Sequence, residues 1–405
     1  MTTLWRNREF NLLWSSQSLS DLGSAIAQLA LPLLVLEQTG SPVAAGAVGT
    51  TALVVKLAVR LPAGVLADRA DRRRTMLACD VIRLVAFLML AAAVAAGRAG
   101  LDVIIVVAVL DASCTALFNT IELASVRSIV PPAQLPAAVA RNEARSYGTS
   151  LAGPPLGGLL FGVTHALPFL GNAVSYLASF AGVLLIRRPL QAERVERPPG
   201  HAAALAEGLR FVFGNPFLRA VLIIAAPLNF ALNGAIFTII VTLQRHGVQP
   251  GVIGLTETIV GVGGLTGAFV APTLQRWLPF TRLIRFICWA AAGVLVASAW
   301  LTASIAAAIP VALAVFLGPS CNAALFGYQA AITPDHLQGR VLSVIFLAAM
   351  SASAAAPLLS GVFVARWGSP RTILIFAASV AVAALTATLA AGIRTMRPIE
   401  EAAPT

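Results

Sequence analysis

GVLADRADRRRTMLACDVIRLVAFLMLAAAVAAG, residues 64–97, sets a basic cluster directly against a long apolar block. Arg69, Arg72, Arg73 and Arg74 fall within six positions, and from Leu84 to Gly97 no residue is charged. A helix needs about 20 mostly apolar residues to cross the hydrocarbon core of a bilayer. The block at 75–97 has that length, and the pattern repeats on either side of it. Spans of helical length fit at 12–37, 43–66, 75–97, 101–125, 140–163, 166–187, 217–243, 250–274, 283–302, 304–329, 340–365 and 371–393. Apolar residues make up 58% of the 405 positions and charged residues 11%, against about 25% charged in a soluble domain. A surface helix of a soluble protein shows one polar face, whereas these blocks are apolar all round. The fold class is therefore an all-α integral membrane protein with twelve transmembrane helices.

The formal charge of +11 raises the question of a nucleic-acid partner. The placement of the basic residues answers it. With both termini cytoplasmic, 21 of the 28 Lys and Arg residues fall on the cytoplasmic side and four (Arg98, Arg245, Arg366, Arg371) outside. That asymmetry is the positive-inside rule. It supports an even number of spans in the cell's inner (cytoplasmic) membrane, with no nucleic-acid partner. The first span is too long for a signal-peptide core and is read as a membrane helix. Cys79, Cys114, Cys288 and Cys321 lie within apolar blocks at spacings that fit neither a metal site nor a disulfide framework, and are read as small core residues. No metal or other cofactor is expected. GVGGLTG, residues 261–267, lies inside a span with no strand before it, so it is a helix contact rather than a dinucleotide loop. No enzyme signature is present.

One connection is longer than the rest. Residues 188–216 carry Pro198-Pro199 and then place Leu205, Leu209, Val212 and Phe213 on one helical face, the pattern of an amphipathic helix on the membrane surface. This linker separates an N-terminal six-helix bundle, 1–187, from a C-terminal one, 217–405. Weak internal matches share a similar offset: NREF with NPF, Gly46 with Gly254, and SIVPPAQL with AAITPDHL. They point to a duplicated six-helix unit and so to two pseudo-symmetric bundles. Two such halves rocking around a shared site is the mechanical basis of alternating access.

The loop 64–74 resembles the signature of the major facilitator superfamily: Gly64, then Asp68 and Arg69, then paired bases. Asp71 stands where that signature has a second Gly. The resemblance implies the major facilitator fold and makes Gly64, Asp68, Arg69, Arg72, Arg73 and Arg74 a cytoplasmic gate, with Gly64 permitting close helix approach. GPPLGG, residues 153–158, resembles the superfamily's antiporter motif in its fifth helix, which implies a pivot built on Gly153, Pro154, Gly157 and Gly158 and leans towards export. Proline removes a helix hydrogen bond, and glycine lets a neighbour pack closely. The opening segment through Thr39-Gly40-Ser41, with SIVPPAQLPAAVARNEA, resembles the drug:proton antiporter branch that includes macrolide and siderophore exporters. The basic motif that many proton-coupled members carry in mid-helix 4 is missing.

The chain offers its own charged candidates. Asp21, Lys56 and Asp111 reach similar depth near the middle of the first-half spans. A lone charge there costs at least about 2.5–3.5 kcal/mol on insertion scales. Lys56 paired with one or both aspartates offsets that cost, either as a proton-coupling network or as a static ion pair. Asp80 and Arg83 are read as a structural pair, and Glu122 and Arg127 as neighbours of the gate. In the second half, Asn229, Asn233, Glu257, Asn322 and Tyr328 are candidates to line a cavity for an amphipathic substrate, with interhelical hydrogen bonding as the alternative role for each. The expected function is proton-coupled efflux of a small drug, metabolite or siderophore by a monomer. The alternatives are an importer of the same fold and a non-pumping membrane protein such as a scramblase or sensor.

Overall fold

The computed structural model describes residues 4–190, 201–277 and 279–394. Within them, the side chains of Leu61, Val65, Ala67, Asp68, Arg69, residues 201–205, Phe280, Asp335 and His336 lie outside the description. The chain is built of α1 (Arg8–Thr39), α2 (Pro42–Arg69), α3 (Arg72–Ala95), α4 (Leu101–Ile129), α5 (Leu135–Val163), α6 (Leu167–Leu185), α7 (His201–Gly214), α8 (Pro216–Arg245), α9 (Pro250–Trp277), α10 (Phe280–Ala299), α11 (Ala308–Ile332), α12 (Asp335–Trp367), α13 (Ser369–Leu389) and α14 (Ala391–Arg394). No strand occurs among the described residues. In a bilayer every backbone polar group must be satisfied internally, which is why long helices carry the fold.

Eleven of the described helices, α1–α4, α6 and α8–α13, are long and apolar enough to cross a membrane. At 29 residues α5 is also long enough. Its hydropathy is lowered by Arg141, Glu143 and Arg145 and by its glycines and prolines, the residues that give this helix its role below. The expected twelve helices of spanning length are thus present.

The sequence marks the helix ends. Asn7 caps α1 by accepting from Phe10 N at 3.1 Å, and Asn215 caps α8 by accepting from Phe217 N at 2.9 Å. NREF and NPF are therefore the same device in two places. Thr39-Gly40-Ser41 is a stop, a turn and a start: Gly40 takes φ 63°, and Ser41 Oγ accepts from Ala44 N at 3.2 Å to cap α2. Asp71 caps α3, accepting from Arg74 N at 3.0 Å. A carboxylate at that point satisfies an amide that glycine would leave to water.

The helices form two compact units, each with its own core. The first holds α1–α6 and residues 247–258 at the start of α9; the second holds α7, α8, the rest of α9 and α10–α14. In the first, α1 packs on α5 and α6, and α3 on α4 and α6. In the second, α8 packs on α12 and α13, and α10 on α11 and α13. The two sets of neighbours match helix for helix, as a duplicated unit requires. Cys79 and Cys114 are buried in one core, Cys288 and Cys321 in the other, all as free thiols.

Glycine seams set the closest approaches. On α9, a Cβ at Gly263 or Gly267 would sit 2.4 or 2.0 Å from the carbonyl oxygen of Ala312 or Phe316 on α11. GVGGLTG is a packing motif. By contrast, a Cβ at Gly64 would meet no atom within 4 Å among the described residues, so the close approach expected there is not seen among them. The amphipathic helix expected in the linker is α7, with a different buried face. Val212 is fully buried and Leu209 packs beside it, while Phe213 is exposed. The helix turns about Gly208, whose Cβ position lies 3.0 Å from the carbonyl of Arg340 on α12, and Glu207 pairs with Arg340. A packing partner on α12, not the membrane surface alone, selects the face.

Candidate functional site

The α1–α5 seam is written in pairs that climb both helices together. Trp14 Nε1 donates to the carbonyl of Arg141 at 3.1 Å, and the Arg141 guanidinium lies 3.6 Å over the Trp5 ring. One turn further on α5, Arg145 faces Asp21, two turns beyond Trp14 on α1. Above them Gly153 lies against Ala25 and Gly157 against Ile26, where added Cβ atoms would come within 2.3 and 2.6 Å. The same motif serves α9: Gly158 lies under the carbonyl of Pro250, Gly254 under that of Pro154, and Thr258 Oγ1 donates to Leu151 O at 3.0 Å. Gly153, Pro154, Gly157 and Gly158 therefore fix one helix between two neighbours with almost no side chain between.

This seam delivers Arg145 to two carboxylates. Its Nε lies 2.9 Å from Asp21 Oδ2 and its Nη1 2.8 Å from Glu122 Oε1 on α4. The Arg145 and Glu122 side chains are each 9% exposed and that of Asp21 34%. Two carboxylates and one guanidinium leave a net charge of −1, so uptake of one proton makes the cluster neutral. The sequence alone does not reveal Arg145, because its RNEARS context looks like a cytoplasmic loop. The helix begins at Leu135, not near residue 140, so Arg145 lies ten residues in, about 15 Å along the axis.

A second polar chain follows α1 and α6. Gln17 Nε2 donates to Ser179 Oγ at 2.8 Å, and Ser179 Oγ donates to Asp80 Oδ2 at 2.7 Å. Asp80 holds Arg83 at 2.5 Å, both fully enclosed. The Arg83 guanidinium lies between two rings, 4.8 Å from that of Phe118 and 4.3 Å from that of Tyr176. Stacking on aromatic faces compensates a desolvated guanidinium. Tyr176 Oη in turn donates to Asp111 Oδ1 at 2.7 Å. Asp80 and Arg83 are thus part of a buried network rather than an isolated pair.

Of the three charges grouped from sequence, Asp21 goes to Arg145 and Asp111 to Tyr176. Lys56, on α2, makes no ion pair or hydrogen bond among the described residues, so the proposed Lys56 pairing is replaced by these two. In the gate segment, Arg72 donates to Leu190 O at 2.9 Å and reaches Ala124 O at 3.3 Å, and Arg73 donates to Leu184 O. Arg74 is exposed and pairs with Asp71 at 3.6 Å. The Asp68 and Arg69 side chains lie outside the described residues.

The second-half candidates do not form one cluster. Asn229 and Asn233 each donate to the carbonyl four residues back on α8, at 2.9 Å, and Asn233 also reaches Ser353 Oγ on α12 at 3.1 Å. Asn322 is exposed on α11. Tyr328 is not a cavity residue: it is buried in the core with its ring 4.7 Å from that of Phe217, because α11 turns its aromatic residue towards α8. Glu257 lies in the part of α9 that belongs to the first unit and has no ion-pair partner among the described residues. A separate cavity of about 570 Å³ lies at the far end of the first unit, lined by Leu34, Val94 and Arg98 beside the Glu37–His165 pair at 3.3 Å. No group of His, Cys, Asp and Glu among the described residues could hold a metal ion.

The sequence model of the Major Facilitator Superfamily matches residues 13–357. The chain belongs to that superfamily. It is a multi-pass membrane transporter of small molecules and not an enzyme. It is 26% identical over 362 residues to the multidrug efflux pump Tap of Mycolicibacterium fortuitum, covering 84% of this chain and 85% of that one. It is 25% identical over 375 residues to macrolide efflux protein A of Streptococcus pyogenes, covering 89% and 90%. The fold matches the solved structure of a bacterial homolog of the human lysosomal transporter Spinster, with TM-score 0.75 and 14% identity over the whole of both chains. It also matches an inward-facing bacterial homologue of the iron transporter ferroportin, with TM-score 0.69, 17% identity and 96% of this chain covered.

Proposed function

We propose that this transporter exports a small amphipathic compound, of the drug or macrolide class, in exchange for protons. The observation that carries the reading is Arg145 held between Asp21 and Glu122 within the helices of one unit. Charges in a membrane protein are costly and cluster where ions or substrates pass. The triad joins α1, α4 and α5, so proton uptake by either carboxylate weakens one arm and lets one helix pair loosen. The pumping cycle uses that change: the protonated and ionised triads favour different arrangements of the two bundles. Arg145 fills the place of the basic residue that is missing from mid-α4. The relatives, a multidrug efflux pump and a macrolide efflux protein, support the direction and the substrate class. Both termini are cytoplasmic in this reading, the protein sits in the inner membrane, and a monomer suffices. The gate residues 64–74 and the α5 motif act as latch and pivot. Asn229, Asn233 and Asn322 remain substrate contacts, and Glu257 a further polar group for the cycle.

The test is transport in proteoliposomes with an imposed pH gradient, using erythromycin, tetracycline and ethidium. Movement that follows the gradient in the wild type and is lost in Asp21→Asn with Glu122→Gln supports the reading. Movement that ignores the gradient sinks it.

A further inference from the structure

Tyr176 of α6 connects the charged regions of the first unit through one hydroxyl. It is fully buried. Its Oη donates to Asp111 Oδ1 at 2.7 Å, lies 3.1 Å from Ser24 Oγ with either atom able to donate, and accepts from Asn172 Nδ2 at 3.4 Å. A phenol carries one proton and has acceptor lone pairs, so these partners satisfy it, and the state of Asp111 decides which way its proton points. With Asp111 ionised, Tyr176 donates to it and Ser24 donates to Tyr176. With Asp111 protonated, the carboxyl donates to Tyr176 and the phenol proton turns to Ser24.

We propose that Asp111, Tyr176 and Ser24 form a hydroxyl relay that carries protons to Asp21. The relay rests on the proton-driven reading given above. In one passage the Asp111 carboxyl proton moves to Tyr176 Oη, the phenol proton moves to Ser24 Oγ, and the serine's own proton goes on to Asp21. Each hydroxyl ends with one proton, Asp111 ends ionised, and Asp21 ends neutral. Ser24 and Asp21 are three residues apart on α1, so their Cβ atoms are about 5–6 Å apart, a gap that one water bridges. The Asp21 side chain is open enough to meet that water, being 34% exposed. Its protonation then releases one arm of Arg145. Arg83, pinned by Asp80 and lying 4.3 Å over the Tyr176 ring, is a positioning residue that fixes the plane of the phenol. The relay also explains how two aspartates on different helices act together without Lys56.

The experiment compares wild type, Tyr176→Phe, Ser24→Ala and Ser24→Thr in liposomes with a trapped pH dye. The probe is whichever of erythromycin, tetracycline and ethidium the wild type moves. Two rates are read: transport driven by a pH gradient, and probe–probe counterflow at equal pH. Tyr176→Phe keeps the ring over Arg83. It and Ser24→Ala are expected to slow gradient-driven transport at least about tenfold with counterflow little changed, and Ser24→Thr to restore the coupled rate. Coupled transport unchanged in Tyr176→Phe overturns the relay, and so does an equal loss of both rates in Tyr176→Phe and Ser24→Ala, which marks a structural role. A wild type that moves none of the probes, or ignores the gradient, overturns the proton-driven reading itself before any variant is compared.

Discussion

The two units share a scaffold and differ in what holds its central seams. Counted from the equivalent caps Asn7 and Asn215, Asp21 of α1 corresponds to Asn229 of α8. Counted from Leu135 and Leu337, Arg145 of α5 corresponds to Leu347 of α12. Where the first unit places an ion pair, the second has an amide bonded to its own helix and an aliphatic side chain. The second unit instead joins α8 to α12 and α13 through hydroxyls: Asn233 to Ser353 at 3.1 Å, Thr238 with Ser360 at 2.7 Å, and Thr242 to Ser369 at 2.6 Å. Neutral hydrogen bonds suffice for this seam of the second unit. The charges at the matching seam of the first unit are therefore not a requirement of these helix contacts, and that is the strongest reason to give them a function.

The largest expected effect comes from making the first seam like the second by half. Arg145→Leu leaves Glu122 and Asp21 without their cation, and breaking a buried pair costs about 3–5 kcal/mol. The melting temperature in detergent should fall sharply, and gradient-driven transport should vanish. Completing the conversion with Asp21→Asn and Glu122→Gln should return most of the stability without the coupling. If Arg145→Leu melts like the wild type, the triad is not holding α1, α4 and α5 together.

Next come the glycine seams, which both units use. Gly157→Val drives a side chain into the Ile26 carbonyl and Gly267→Val into that of Phe316, where overpacking costs about 1–3 kcal/mol or more. Both should lower the yield of folded protein, while Gly64→Ala, which meets nothing described, should not. A smaller loss is expected for Thr238→Val, which removes the hydroxyl's two neutral hydrogen bonds, to Gly234 O and with Ser360 Oγ, each worth about 1 kcal/mol. Its transport should remain driven by the pH gradient, because the second unit's hydroxyl seam carries no titrating charge. The smallest effect belongs to Asp71→Ala. Loss of that cap should cost about 1 kcal/mol or less, seen as a shift of a few degrees in thermal unfolding.

Much of this was legible in the sequence, and the limit has a physical cause. Helix spans, the matching caps, the Thr39-Gly40-Ser41 turn and the α5 glycines are local signals, set by neighbours a few residues away. Asp21 and Asp111 stood out because a charge in an apolar block is costly wherever it sits. Their partners did not, because Arg145 and Tyr176 are brought in by helix packing across 124 and 65 residues of sequence. Arg145 was further hidden by lying one turn beyond Arg141, in a stretch that reads as a basic loop. Tyr328 was misplaced for the same reason: its helix face is chosen by Phe217, which the local pattern does not reveal.

Under the proposed function, the charged seam of the first unit couples transport to protons. The direct measurement is proton flux, followed with a dye trapped in liposomes, when a transported probe is added to wild type and to the Asp21→Asn, Glu122→Gln, Arg145→Leu triple variant. Proton movement opposite to the probe is expected in the wild type, and none in a folded triple variant that still exchanges probe for probe. Proton movement of equal size in both would contradict it.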